Sequence, residues 1–446
     1  MSLYSSLFYS PDMQSLLSEE TTVAHMLRFE AALATAQANN GLIPTPSAER
    51  IAACCTVELL DWERLKKDIA LSGNAAIPLV KQLTEVVRKR DEEAAGFVHL
   101  GATSQDVVDT ATVLTIKSVL DWLDDKLSAL ANRLIALTQA HRQTVMIGRT
   151  LLQQAKPITF GLKTALWLDG LGRSQQRLAA CRQRVLVLQL AGAVGSRNAS
   201  IPDAVHQETA NLLGLESSVS WHTQRDNIAE LAAVMGILSG SLAKIANDVM
   251  LLMQTEIAEV LEGKAAGKGS SSTMPHKRNP VTTTAILANA NRVPNLVATM
   301  LSAMPQEHER SAGRWHSEWD VLTDIMQLTA GSVERSLELL DNLEVDSQRM
   351  RQNLELTNGL IYAETISLAL APKLGKATAH ELVEKACAVA IAEQKHLKDV
   401  LREQAIDVAD LDKLFKPENS LGQALEIIDF ILHRLYIHRR QSLKRT

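Results

Sequence analysis

The sequence predicts an all-α protein built around a bundle of long helices, and three features carry that expectation. From Val107 to His141 the chain has no glycine or proline, and Ile116, Leu120, Leu123, Leu127, Leu130, Leu134 and Leu137 recur at alternating steps of four and three. Such a seven-residue repeat keeps one apolar stripe along a helix and belongs to helices packed in a left-handed bundle. The apolar residues are mostly Leu, Ala, Ile and Val, aromatics make up 4% and prolines number 12, a composition that favours helix. No apolar/polar alternation of convincing length appears, so little sheet is expected.

The first long helix could reach ~50 Å at ~1.5 Å per residue. Similar stretches follow at about Pro157 to Leu190, Arg225 to Glu262, Pro280 to Ala303 and Glu307 to Leu343, each bounded by Gly, Pro or polar breaks. Pro157 and Pro280 fit first-turn positions, where a missing N–H costs nothing. Gly236 and Gly240 inside the third stretch either permit a close helix contact or simply weaken the helix. With 446 residues the chain exceeds one ordinary core, and two or three domains are expected.

Composition also excludes several functions. The N-terminus MSLYSSLFYSPDMQS lacks the basic start, apolar stretch and small-residue cleavage site of a signal peptide, and no segment has ~18 uninterrupted apolar residues. A cytoplasmic protein without membrane association is expected. Cys54, Cys55, Cys181 and Cys387 show no CxxC or Cys/His spacing, which argues against disulfides and zinc. A net charge of -5 opposes broad nucleic-acid binding, and the basic tail from Arg439 to Lys444 is too short to overturn that. A small anionic substrate would therefore need a local basic pocket.

The chemistry concentrates in Gly269-Ser270-Ser271-Ser272-Thr273-Met274-Pro275-His276-Lys277-Arg278-Asn279-Pro280. Glycine supplies backbone freedom, the serines offer nucleophiles or bases, and Lys277 and Asn279 offer donors suited to a developing negative charge. Composition alone fits an ordinary surface linker equally well. The order of residues decides, because the run resembles the G-S-S-x-M-P-x-K-x-N signature of the fumarase/aspartase superfamily of lyases. Ser271, Ser272, Met274, Pro275, Lys277 and Asn279 match it, and Ser270 departs where the family usually has glycine.

The resemblance implies a small N-terminal helical domain (1–106), a central long-helix bundle (107–354) carrying a catalytic loop at about 262–280, and a small C-terminal helical domain (355–446). It also implies a homotetramer whose active sites draw segments from three chains, and no metal or organic cofactor. A bundle this long with broad apolar faces would be a poor monomer.

Three further segments resemble the superfamily's active-site regions. His99-Leu100-Gly101-Ala102-Thr103-Ser104-Gln105-Asp106 reads on its own as a polar helix start. It looks like the carboxylate-binding region of adenylosuccinate lyases, where Thr103 and Ser104 would offer hydroxyls and N–H groups to an anion and His99 would orient or neutralise substrate. In Pro305-Gln306-Glu307-His308-Glu309-Arg310-Ser311, which resembles an H-E-R segment, Arg310 could clamp a carboxylate through two prongs. Thr223-Gln224-Arg225-Asp226 matches a Q-R-D element in which Gln224 would bind substrate and Arg225 with Asp226 would be structural.

The last segment, Gly148-Arg149-Thr150-Leu151-Leu152-Gln153-Gln154-Ala155-Lys156-Pro157, resembles T-H-x-Q-x-A-x-P. The histidine of that pattern serves acid/base catalysis, and here its position is Leu151 although Thr150, Gln153, Ala155 and Pro157 are all retained. Amine and hydroxide leaving groups need that acid, whereas a carboxylate, with a solution pKa near ~4, does not. One branch fits: the bacterial 3-carboxy-cis,cis-muconate cycloisomerases, which close a substrate carboxylate onto its own double bond. Similarity to it includes Ala70–Leu79, Leu251–Glu256 and Ala303–Ser311.

On that reading Ser271 moves the proton at carbon while Lys277 and Asn279 meet the new charge of an aci-carboxylate. The small polycarboxylate substrate would be held by Thr103, Ser104, Arg310, Lys277 and Asn279, together with His99 and Arg149. Thr150, Gln153, Gln224, Ser272 and Met274 would also line the substrate site. Two other readings stay open: an adenylosuccinate lyase, supported by the first segment and the Q-R-D element and opposed by Leu151, and a catalytically silent helical scaffold.

Overall fold

The computed structural model of the chain describes residues 3–264, 268–269, 273–274 and 276–442. Five long helices dominate it: α1 (Ser104–Ala140), α2 (Phe160–Val185), α3 (Asp226–Leu252), α4 (Val281–Ala303) and α5 (Arg314–Asp341). Shorter helices precede and follow them, among them Glu19–Asn39, Ala363–Leu374 and Lys376–Glu393. Two small antiparallel sheets complete the described structure, β1 (Val145–Thr150) with β2 (Gln153–Thr159) and β3 (Val260–Leu261) with β4 (Glu344–Val345).

The seven-residue stripe does what its spacing requires. Ile116, Leu120, Leu123, Leu127, Leu130 and Leu134 are all buried, and Leu137 is half-buried near the end of α1. The chain divides into two compact units, one of residues 1–127, 174–240 and 288–334, the other of residues 128–173, 241–287 and 335–446. Each of the five long helices has residues in both.

In the first unit, the helix Glu19–Asn39 is capped by Ser18, whose hydroxyl accepts from Thr21 N at 3.1 Å, satisfying one of the donors a helix start leaves unpaired. Gly236 of α3 makes a close helix contact: a Cβ there would stand 3.1 Å from Val297 Cγ2 of α4. Gly240 faces open space. The α3 helix is long and apolar enough to cross a membrane by length and composition alone, but 56% of its most apolar window is buried inside the fold, as in a core helix.

In the second unit, Ile366, Leu370, Val383, Ala386, Leu397 and Leu401 form the C-terminal core. The expected helix from Pro157 starts later. Pro157 lies in β2 opposite Ile147, and α2 begins at Phe160 after Thr159, whose hydroxyl accepts from Leu162 N at 3.0 Å. The β1–β2 hairpin takes in Pro157 and so corrects the expected helix start. Val145, Met146 and Ile147 are all buried, so the strand shows no alternation to read.

Pro280 stands one residue ahead of the expected first turn, its carbonyl accepting from Thr284 N at 3.0 Å. The expected helices also overreach, since α3 stops at Leu252 and α5 starts only at Arg314.

Candidate active site

The loop from His99 to Asp106 belongs to the first unit and is held from several sides. Asp106 is fully buried and accepts four hydrogen bonds, from Thr103 N (3.0 Å), Ala191 N (3.0 Å), Gly192 N (2.9 Å) and His222 Nε2 (2.8 Å). A buried carboxylate is tolerated only when its oxygens are satisfied in this way. Gly101 holds φ at +84°, and a Cβ there would stand 2.8 Å from Asn198 Oδ1, so only glycine fits. Gln37 Nε2 donates to Leu100 O (2.9 Å) and Ser200 O (3.0 Å), and Asn198 Nδ2 donates to Gly101 O (2.9 Å).

This scaffold presents the expected residues. Ser104 opens α1 and is half-buried. Arg310 Nη2 donates to the Thr103 hydroxyl and to Ala193 O, each at 3.0 Å, which joins two motifs far apart in sequence. His99 Nδ1 lies 2.7 Å from Oε1 of the buried Glu30. Burial disfavours the His99 imidazolium, but the Glu30 charge and hydrogen bond outweigh it and raise the pKa above the ordinary value.

Gln224 is exposed. Its neighbour Arg225 is buried between Asp109 and Glu318 and lies 4.8 Å over the Trp221 ring, a structural assignment in keeping with the sequence reading. Asp226 is exposed at the start of α3, where its charge meets the helix dipole.

An open groove of about 610 Å³ lies beside this loop, lined by Arg197, Asn198, Asp203 and Ser220 among others. A second cavity, of about 210 Å³, is walled by Met26, Val108, Trp319 and Met326 and bounded by Asp109, Arg225 and Glu318. The second has no cation to spare for a polycarboxylate, since its arginine is already paired twice.

The second unit carries the other segments. At the root of the loop Asn279 N donates to Gly269 O at 3.0 Å, and a Cβ on Gly269 (φ +64°) would stand 2.6 Å from Asn279 O. Glu262 caps α4, accepting from Thr282 N (3.0 Å) and Thr283 N (2.8 Å). Lys268 reaches Glu338 at 2.7 Å, and Arg278 grips Glu344 with two bonds of 2.9 Å. Lys277 and Met274 are exposed and Asn279 half-buried. Ser271 and Ser272 lie outside the described residues.

Thr150 and Gln153 pair across the hairpin tip. Leu151 and Leu152 form the turn with φ of +50° and +66° and are 97% and 76% exposed. Arg149 is engaged already: its guanidinium makes a two-pronged pair with Glu259, at 2.9 and 2.7 Å. Among the described residues no group of three or more His, Cys, Asp or Glu is placed to hold a metal ion. Asp106, Glu259 and Glu262 hold the segments of the candidate site without having been singled out in the sequence; only Asp106 carried a signal, as the last residue of its motif.

Known proteins resemble the chain along nearly its whole length. Residues 10–295 match the family model described as Lyase, and residues 359–431 match the one described as adenylosuccinate lyase C-terminus. The chain is 47% identical over 441 residues to a 3-carboxy-cis,cis-muconate cycloisomerase of Acinetobacter baylyi, covering 96% of this chain and 98% of that protein. It is 46% identical over 430 residues to one of Pseudomonas aeruginosa, covering 95% and 94%. It also resembles the crystal structure of 3-carboxy-cis,cis-muconate lactonizing enzyme from Pseudomonas putida, with a TM-score of 0.92, 44% identity, and coverage of 97% of this chain and 98% of that one.

Proposed function

The chain belongs to the fumarase/aspartase superfamily of lyases, and from that premise we propose that it interconverts 3-carboxy-cis,cis-muconate and 4-carboxymuconolactone. The observation that carries this reading is Leu151. It stands at the tip of a hairpin that keeps Thr150 and Gln153 paired behind it, which supports reading it as the position of the family's acid with no proton donor there. A carboxylate, with a pKa near ~4, leaves or attacks without a proton; an amine does not.

In the lactonising direction a substrate carboxylate oxygen forms the new C–O bond as the double bond opens. The electron pair moves into the neighbouring carboxylate as an aci-acid, whose charge Lys277 and Asn279 stabilise. The Ser271 hydroxyl then delivers a proton to carbon and is reprotonated from solvent. A serine hydroxyl is too weak an acid to serve in reverse as a base unaided; a cation such as Lys277 beside it would favour the alkoxide.

Thr103, Ser104 and Arg310 hold substrate carboxylates, with His99, held by Glu30, on the same loop. Gln153 and Gln224 supply further hydrogen bonds. The reaction places the enzyme in the protocatechuate branch of the β-ketoadipate pathway. Exposed Leu166, Ile237 and Leu301 on α2, α3 and α4, together with the exposed hairpin tip, support a homotetramer that shares its active sites between chains.

The test follows loss of diene absorbance when purified protein meets 3-carboxy-cis,cis-muconate. Turnover is expected, Ser271→Ala should abolish it, and Leu151→His should leave it within roughly fivefold, since no acid is used. Cleavage of adenylosuccinate to AMP at a comparable rate would overturn the reading.

A further inference from the structure

The hairpin tip holds a conformation that ordinary residues adopt only where their surroundings impose it. Leu151 and Leu152 both have positive φ, and neither is a glycine or asparagine that would take this turn readily. Within the single chain their side chains are exposed, so no neighbour in the chain imposes the turn through them.

The constraint comes from the residues on either side. Arg149, just before the turn, is fixed on both prongs by Glu259, which is fully buried. Gln154, just after it, donates through Nε2 to Asn353 O at 3.1 Å. Asn353 in turn donates through Nδ2 to Glu259 Oε1 and to Ile257 O, each at 2.8 Å. Both arms of the turn therefore converge on one carboxylate.

The same segment reaches the catalytic loop. Glu259 O accepts from Asp346 N at 3.0 Å, and β3 follows at Val260–Leu261 paired with β4. Glu262 then caps α4 through Thr282 N and Thr283 N, and its carbonyl accepts from Arg278. Arg278 lies between Lys277 and Asn279. One short strap thus grips the hairpin tip at Glu259 and the root of the loop at Glu262.

We propose that Glu259 is a positioning residue that holds Thr150 and Gln153 through Arg149 and, through the strap to Glu262, the root of the Lys277–Asn279 loop, each for the shared site its segment enters. This rests on the reading of those four as site residues. Arg149 is accordingly a positioning residue as well, because its donors are taken.

The test uses the full-length protein as it assembles. Glu259→Gln keeps volume and one acceptor but loses the charge and one prong. Without substrate, hydrogen exchange should quicken at least tenfold in both 145–159 and 278–290 and stay unchanged in 376–393. With substrate, kcat should fall at least tenfold while KM stays within threefold. Arg149→Gln should match it, and the double variant should lose no more than either single.

Faster exchange confined to 145–159 would overturn the link to the loop, and multiplicative losses in the double variant would overturn the route through Arg149. If Glu259→Gln fails to fold, Arg149→Lys, which keeps the charge but not the two-pronged fit, serves both measurements under the same criteria. A parent without turnover of 3-carboxy-cis,cis-muconate would overturn the proposed function and leave the exchange measurement to decide the strap.

Discussion

Asp106→Asn probes how the His99–Asp106 loop is held, and its cost can be worked from four distances. Oδ2 serves Thr103 N and Gly192 N, while Oδ1 serves Ala191 N and His222 Nε2. Asparagine keeps one oxygen, which goes where it still meets Thr103 and Gly192. Its amide nitrogen then faces the Ala191 N–H, donor against donor. His222 can adapt by moving its proton to Nδ1, toward Ser220 Oγ at 3.2 Å, and accepting at Nε2.

One buried N–H is left unpaired, at a cost of about 1–3 kcal/mol, and two others lose a charged acceptor at about 1 kcal/mol each. The sum is roughly 3–5 kcal/mol, and at about 1.4 kcal/mol per factor of ten local opening should become roughly 100- to 4000-fold more frequent. Hydrogen exchange at the amides of Thr103, Ala191 and Gly192 reads this directly. KM should rise as well, because Thr103 and Arg310 lose their common support. Exchange faster by less than tenfold would refute the account of Asp106 as the loop's shared acceptor.

The His99–Glu30 pair predicts a pH dependence. Burial lowers the His99 pKa, Glu30 more than offsets it, and the net shift is upward, so the stabilisation is full below about pH 6.5 and is lost as pH rises through the raised value. The thermal midpoints of the parent and Glu30→Gln should differ most between about pH 5 and 6.5 and converge above; a gap independent of pH would contradict the pairing. On α3 the two glycines should respond in opposite directions. Gly236→Val, against Val297, should cost about 1–3 kcal/mol of stability in urea titration, whereas Gly240→Ala, in open space, should gain about 0.5–1 kcal/mol. Equal effects would show that the contact at Gly236 does not set its identity.

The five helices were legible because their signal is local: a repeat such as Ile116 to Leu134 records its own buried face. Their ends were not, because they are settled by partners elsewhere in the chain. Pro157 looked like a helix start and is a strand residue because Ile147 lies opposite it. The hairpin was hidden twice, by a strand buried at Val145, Met146 and Ile147 and by a Leu-Leu turn where Asn-Gly or Asp-Gly would have announced it.

The candidate site divides along the same line. The residues we propose to meet substrate, Arg310, Lys277, Gln224 and Thr150, are exposed, and their types in order made them readable. The carboxylates that hold their segments, Asp106, Glu259 and Glu262, are buried, and in the sequence they look like acids on any helix or loop. Only their donors distinguish them, and those stand far off: Ala191 for Asp106, Arg149 for Glu259, Thr282 for Glu262.

Burying a carboxyl group is costly unless its oxygens are met, so three such acids beneath three segments of the proposed site call for a reason beyond stability. At the hairpin the reason is most exposed. A turn of two leucines in the left-handed region, anchored from within by a buried ion pair, is a poor way to reverse a chain. It is intelligible where the placement of the flanking Thr150 and Gln153 matters and the tip side chain has no proton to give.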